Sequence, residues 1–192
     1  SGKLAMGCGA SIVVNGQVIK TPCGKSASPF LPIPISEDRK DIIRQTWKLV
    51  EPVKIAAGKK LFARLFEVNP NLQNTFPAFK GLEIKDILNS RSLYLHAKRV
   101  MNAIENAVSS LNDAEVFTNY LANLGDRHIP WNVQKEHFNI VGECLLWTFQ
   151  DMLGPACTTE VAEAWAELYG FIAQSMLEGI ERSQKNRKLS PK

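Results

Sequence analysis

From Ser36 to Ile180 the apolar residues of this chain recur at steps of three and four, a rhythm that builds helices and little else. Ile43, Trp47 and Val50 set the first stripe. Ser36 is placed to cap it, with Glu37 and Asp38 in the first turn, where a helix start favours negative charge. Pro52 marks a boundary. Leu61, Phe62, Leu65 and Phe66 form a second stripe that ends near Asn69-Pro70, and FPAFKG (76–81) reads as a loop broken by Pro77 and Gly81. A third helix carries Leu93, Ala97, Val100, Ile104, Ala107 and Leu111. A fourth carries Phe117, Leu121, Leu124 and His128 and breaks at Pro130. A fifth carries Phe138, Val141, Leu145 and Met152 and stops at Gly154-Pro155. The last places Val161, Trp165, Leu168, Ile172, Met176 and Ile180 on one face. No strand run, fixed repeat or low-complexity tract competes with this pattern, so the expected fold class is all-α.

Residues 1–35 differ. They hold five glycines and four prolines, and their only charged residues are Lys3, Lys20 and Lys25. VVNGQVI (13–19) contains the Asn-Gly pair favoured in two-residue hairpin turns. An isolated hairpin is marginal in water, so a flexible leader is the expectation. Within it MGCGAS (6–11) carries the signal for N-myristoylation of Gly7, with Cys8 beside it for a second acyl chain. Ser1–Ala5 reads as an expression scar ahead of that signal. One myristoyl chain binds a membrane marginally and two acyl chains bind it stably. The expected division is a scar at 1–5, an acylatable leader at 6–35, a helical domain at 36–182 and a basic tail at 183–192, which reads as a solvated, frayed end. The expected location is the cytoplasmic face of the plasma membrane.

Composition narrows the rest. No run of ~20 apolar residues occurs, so no segment reads as a membrane-spanning helix. A net charge of +4 is too mild to argue for nucleic acid. Cys8, Cys23, Cys144 and Cys157 have neither metal-ligand spacing nor the density of a disulfide framework, and no CxxCH site for covalent haem occurs.

The three histidines carry the chemistry. His96 lies three residues after Leu93 and four before Val100, on their face; His128 lies four after Leu124 and seven after Leu121. His137 sits at a helix start and reads as a partly exposed polar residue. A lone histidine on an apolar face is usually a core residue with one nitrogen hydrogen-bonded. Two, on separate helices, shift the balance toward a metal without removing that reading. Zinc wants four ligands, and no third or fourth is placed nearby. Iron in a porphyrin has two axial positions and takes imidazole, and Phe62, Phe76, Phe79 and Phe138 offer flat apolar surface.

At these residues the chain resembles the globins, and within them the neuroglobin and globin X groups. DIIRQTWKLV (41–50) is similar to their first helix, and LFARLFEVNPNLQNTF (61–76) to the second helix and the turn after it. LHAKRVM (95–101) resembles the segment with the distal histidine, and YLANLGDRH (120–128) the one ending in the proximal histidine. VGECLLWTF, MLGPAC and AWAELYGFIAQSM resemble the last two helices. The likeness runs from Ile35 to Arg182, and the two histidines lie 32 positions apart. The MGC start and the long leader are what point toward globin X. KGLEIKDIL (80–88) lacks the two cysteines that bridge this loop in human neuroglobin, so that redox control is not expected.

The resemblance implies a three-over-three sandwich of about eight helices around haem b (iron protoporphyrin IX). It implies that His128 is the proximal iron ligand and His96 the distal one. Phe76 would wedge the haem, Phe62 would stand over it, Val100 would sit above the iron and Arg99 would reach a propionate. Leu124, Val133, Phe138, Tyr169 and Ile172 match pocket-lining positions. The favoured function is a membrane-tethered, bis-histidine globin that binds O2, NO, CO or nitrite after His96 leaves. Its role would be electron transfer, redox signalling or lipid protection. The alternatives are a five-coordinate oxygen store or sensor, and a haem enzyme such as a nitrite reductase or nitric oxide dioxygenase. No flavin or nicotinamide domain is evident, so a reductase would be a separate partner.

Overall fold

The computed structural model describes residues 11–14, 17–20 and 33–189. Gly7 and Cys8 lie outside them. The chain divides into two units, residues 1–31 and 32–192. In the first, β1 (Ser11–Val14) and β2 (Gln17–Lys20) pair antiparallel, with Val14 opposite Gln17. The segment expected as a flexible leader therefore contains, among its described residues, two paired strands.

The second unit is all-α, as the periodicity requires. Its helices are α1 (Glu37–Val50), α2 (Lys54–Val68), α3 (Ile84–Asn89), α4 (Arg91–Ser109), α5 (Ala114–Asp126), α6 (Lys135–Leu153) and α7 (Thr159–Leu189). Short 3-10 turns sit at Glu51–Val53, Pro70–Thr75, Ile129–Trp131 and Gly154–Ala156, each with proline in its first two positions. Pre-set φ and a missing N–H suit proline to those places. Ser36, Ser90 and Asp113 cap α1, α4 and α5, accepting from Arg39, Leu93 and Val116. At α6 the Gln134 N–H donates to Nδ1 of His137 at 3.1 Å, so the partly exposed His137 expected at this helix start is also half of a capping box.

Three helices lie over three: α1, α4 and α5 pack on α2, α6 and α7. Close crossings need small residues. A Cβ on Gly125 would fall 2.2 Å from the Met176 carbonyl oxygen, so α5 meets α7 there backbone to backbone. Gly58 does the same for α2 on α4, beside Ala97 and Met101. The core between the layers is anchored by Trp165, whose ring lies 4.6 Å from Phe149 and whose Nε1–H donates to the Thr46 hydroxyl at 2.9 Å. Two boundaries differ from the sequence reading. The last helix runs to Leu189, so the basic tail is helical through that residue, and Arg187 pairs with Asp126 at its end. And α5 stops at Asp126, so His128 stands just past a helix rather than on one.

Candidate metal centre

That position is what equips His128. The last carbonyls of a helix have no partner within it. The Nδ1 of His128 lies 2.8 Å from the carbonyl oxygen of Leu124, four residues earlier, in the final turn of α5. A carbonyl only accepts, so Nδ1 carries the proton and donates it. The neutral ring then has its lone pair on Nε2, the tautomer a metal needs. The His128 backbone N–H also donates, to Gly125 at 2.8 Å. Both ends of the residue are thus held by the turn that crosses α7.

His96 lies on the inner side of α4, half-buried, between exposed Leu95 and fully buried Ala97. Its ring meets two aromatic edges: Phe62 of α2 at 5.0 Å and 70°, and Phe76 at 5.3 Å and 84°. Burial holds its pKa down to about 4, and positive charge on His128 and on Arg99 lowers it further. At neutral pH it is therefore an uncharged base. Among the described residues nothing hydrogen-bonds to its ring. Phe62, Phe66, Phe76 and Phe79 form one cluster behind it, with Phe76 stacked on Phe79 at 5.5 Å.

The other expected residues divide into two groups. Val100 stands one turn after His96, half-buried, and Arg99 is exposed beside it with no ion pair among the described residues. Leu124 and Val133 are half-buried and packed on the core, flanking His128 in the chain. Phe138 and Tyr169 form a second set that ties α6 to α7: the phenol donates to the Phe138 carbonyl at 2.7 Å. The Tyr169 ring fills the space a side chain on Gly142 would take. Burial pushes that phenol well above its ordinary range. Ile172 lies one turn further along α7 and is buried. Cys144 and Cys157 are free thiols that burial keeps protonated. Among the described residues no group of three or more His, Cys, Asp or Glu side chains is placed to hold a metal ion.

Three helices over three, with one imidazole tied back to a helix end and a second among phenylalanines, define a class of helical haem-pocket folds. The sequence profile of the globin family matches residues 59–176, and the chain belongs to that family. It is 34% identical over 154 residues to neuroglobin of Danio rerio, covering 80% of this chain and 97% of that protein. Neuroglobin of Tetraodon nigroviridis matches with the same identity and coverage, and neuroglobin-1 of Oncorhynchus mykiss is 32% identical. A crystal structure of a hexacoordinated heme protein from an anhydrobiotic tardigrade superposes with a TM-score of 0.74 over 78% of this chain and 97% of that one, at 21% identity. That likeness is one of fold.

The donor set fits a haem. One ring presents Nε2 because its Nδ1–H is spent on a carbonyl, and the other is uncharged with no competing partner. Flat apolar rings adjoin it, and among the described residues the exposed guanidinium of Arg99 has no ion pair.

Proposed function

We propose that this chain is a haem b globin in which His128 and His96 would both hold the iron at rest, and which would take an external gas where His96 gives way. The observation that carries the reading is the 2.8 Å Nδ1 bond from His128 to Leu124, which leaves a metal-ready nitrogen at the end of α5. The bound group supplies an iron centre that takes small diatomic ligands and exchanges single electrons. The protein's residues do the rest. His128 stays fixed, since its ring and its backbone are both hydrogen-bonded to the last turn of α5. His96 competes with the incoming ligand, so apparent affinity falls by the fraction of molecules in which it is away. Phe62 and Phe76 exclude water around it and offer no hydroxyl to a bound gas. Such self-occupied sites suit electron exchange or redox signalling better than bulk oxygen carriage. The neuroglobin relatives and the hexacoordinated heme protein with this fold support the reading.

The visible spectrum of the deoxygenated ferrous protein tests it. A sharp, split band is expected from the wild type and one broad band from His96→Leu. Loss of stable haem is expected from His128→Ala. A broad band in the wild type would leave a five-coordinate oxygen binder.

The leader extends the proposal. With Gly7 at the N-terminus, MGCGAS would take a myristoyl chain and Cys8 a palmitoyl chain, tethering the globin to the cytoplasmic face of the plasma membrane. There it would exchange electrons with a separate reductase or spare lipid from oxidation. The hexapeptide itself supports this. Chain beginning at Met6 and co-expressed with a myristoyltransferase should move to the membrane fraction, and Gly7→Ala should remain soluble. Equal partition would end the tether without touching the haem site.

A further inference from the structure

We infer that the outer face of α3 and α4 is a second membrane contact, one that rests on an anionic lipid surface without help from any acyl chain. Opposite its buried stripe of Leu93, Ala97, Met101 and Ile104, helix α4 exposes Tyr94 (41%) and Leu95 (36%). Arg91 and Lys98 are exposed at the three- and four-residue steps that put them on the same side. Helix α3 packs beside α4. The turn into it leaves Leu82 44% and Ile84 37% exposed, between exposed Lys80 and Lys85.

Those apolar side chains are held in water by an ordered backbone. The Gln73 amide donates to the carbonyls of Phe79 (2.7 Å) and Leu82 (2.8 Å), pinning the loop at the place where it could otherwise fold inward. The charge on this face is also one-sided. Residues 80–99 hold five basic side chains against two acidic ones. None of the five takes part in a salt bridge among the described residues, whereas Arg39, Lys54 and Lys60 pair with carboxylates across the fold.

Interleaved Lys, Arg, Leu, Ile and Tyr on an exposed helical surface is the composition of an interfacial element: apolar side chains enter the headgroup boundary while long basic ones reach the phosphates. A purely electrostatic site for an acidic protein would not need the four apolar side chains. Because His96 lies on the inner side of the same helix, this contact would set the distal side of the pocket next to the bilayer, where O2 and NO concentrate.

Sedimentation of the haem-loaded, unacylated full chain with vesicles of phosphatidylcholine, with and without phosphatidylserine, tests the contact. Binding is expected to the anionic vesicles only and to weaken with salt. It should fall about fivefold for each of Lys80, Lys85 and Lys98 changed to Gln. Leu82→Asn with Ile84→Asn should also weaken it while the visible spectrum stays unchanged. In the wild type, vesicles should slow amide exchange in residues 80–99, a readout that needs no variant. The proposal is overturned if anionic vesicles are not bound, or if the lysine variants bind as the wild type does, which would move the contact to the leader or the basic end of α7. It is equally overturned if the Leu82/Ile84 variant binds unchanged, which would leave a site for acidic proteins. None of these results bears on whether Gly7 is acylated, since no acyl chain is present.

Discussion

At the scale of the residue, His96 combines two properties that water normally keeps apart: it is a base, and it is held among phenylalanine edges. Its ordinary pKa is about 6.5, and in the fold the value is about 4. Between those two values the unfolded chain carries a proton that the folded chain lacks, so unfolding is favoured as pH falls through that window. Haem-free protein should therefore lose stability from about pH 6.5 down to pH 4, by about 3 kcal/mol at most, and level off below. Denaturant titrations across that range measure it, and in His96→Leu this part of the slope should vanish. The half-burial of both histidines was legible in the sequence, because each continues an apolar spacing. The back-bond of His128 was not, since its acceptor is a main-chain carbonyl that every residue possesses and only a helix end leaves free. The capping role of partly exposed His137 was hidden for a related reason: the Gln134-to-His137 spacing is that of a capping box, but neither residue is the Ser, Thr or Glu that usually announces one.

At the scale of the element, the crossing of α5 on α7 has no slack. Gly125→Ala would drive a methyl group to 2.2 Å from the Met176 carbonyl, a backbone atom that cannot swing aside. We expect a loss of about 2 kcal/mol or more in chemical denaturation, together with weakened haem retention, because His128 hangs from the same turn. Gly58→Ala should be milder, since the nearest atom, at 2.9 Å, belongs to the flexible side chain of Met101. The long helices were legible from their stripes, and the proline-led breaks at Pro52, Pro70, Pro130 and Pro155 fell where expected. Helix α3 was not, because six residues complete too few turns to show a period. The early end of α5 was hidden too. Apolar spacing continues through Leu124 to His128, while the backbone leaves the helix at Asp126 to enter the Ile129–Trp131 turn.

At the scale of the whole molecule, the helical unit begins at Pro32, and its first buried residues are Ile33 (5% exposed) and Ile35 (4%). Removing residues 1–31 should leave the melting temperature and haem uptake of the remainder close to those of the full chain. Removing residues 1–35 deletes both isoleucines and should cost about 2 kcal/mol for each. Thermal melts of the two truncated chains separate these outcomes, and equal melts would mean that the first buried pair adds nothing. The three-over-three arrangement followed from the resemblance of separate segments in a fixed order, which periodicity alone could not have supplied. The hairpin at 11–20 was signalled by Asn15-Gly16, yet nothing in the chain says that so small a ribbon would form.

The tie between the ring at 128 and the carbonyl at 124 makes that imidazole a handle on the main chain. Any force that draws the ring inward or lets it retreat is delivered to the last turn of α5, one residue from the point where that turn touches Met176 with nothing compressible between them. Motion of that ring is thus geared directly to the long C-terminal helix, so a displacement of a few tenths of an ångström at its free nitrogen has a rigid route to α7.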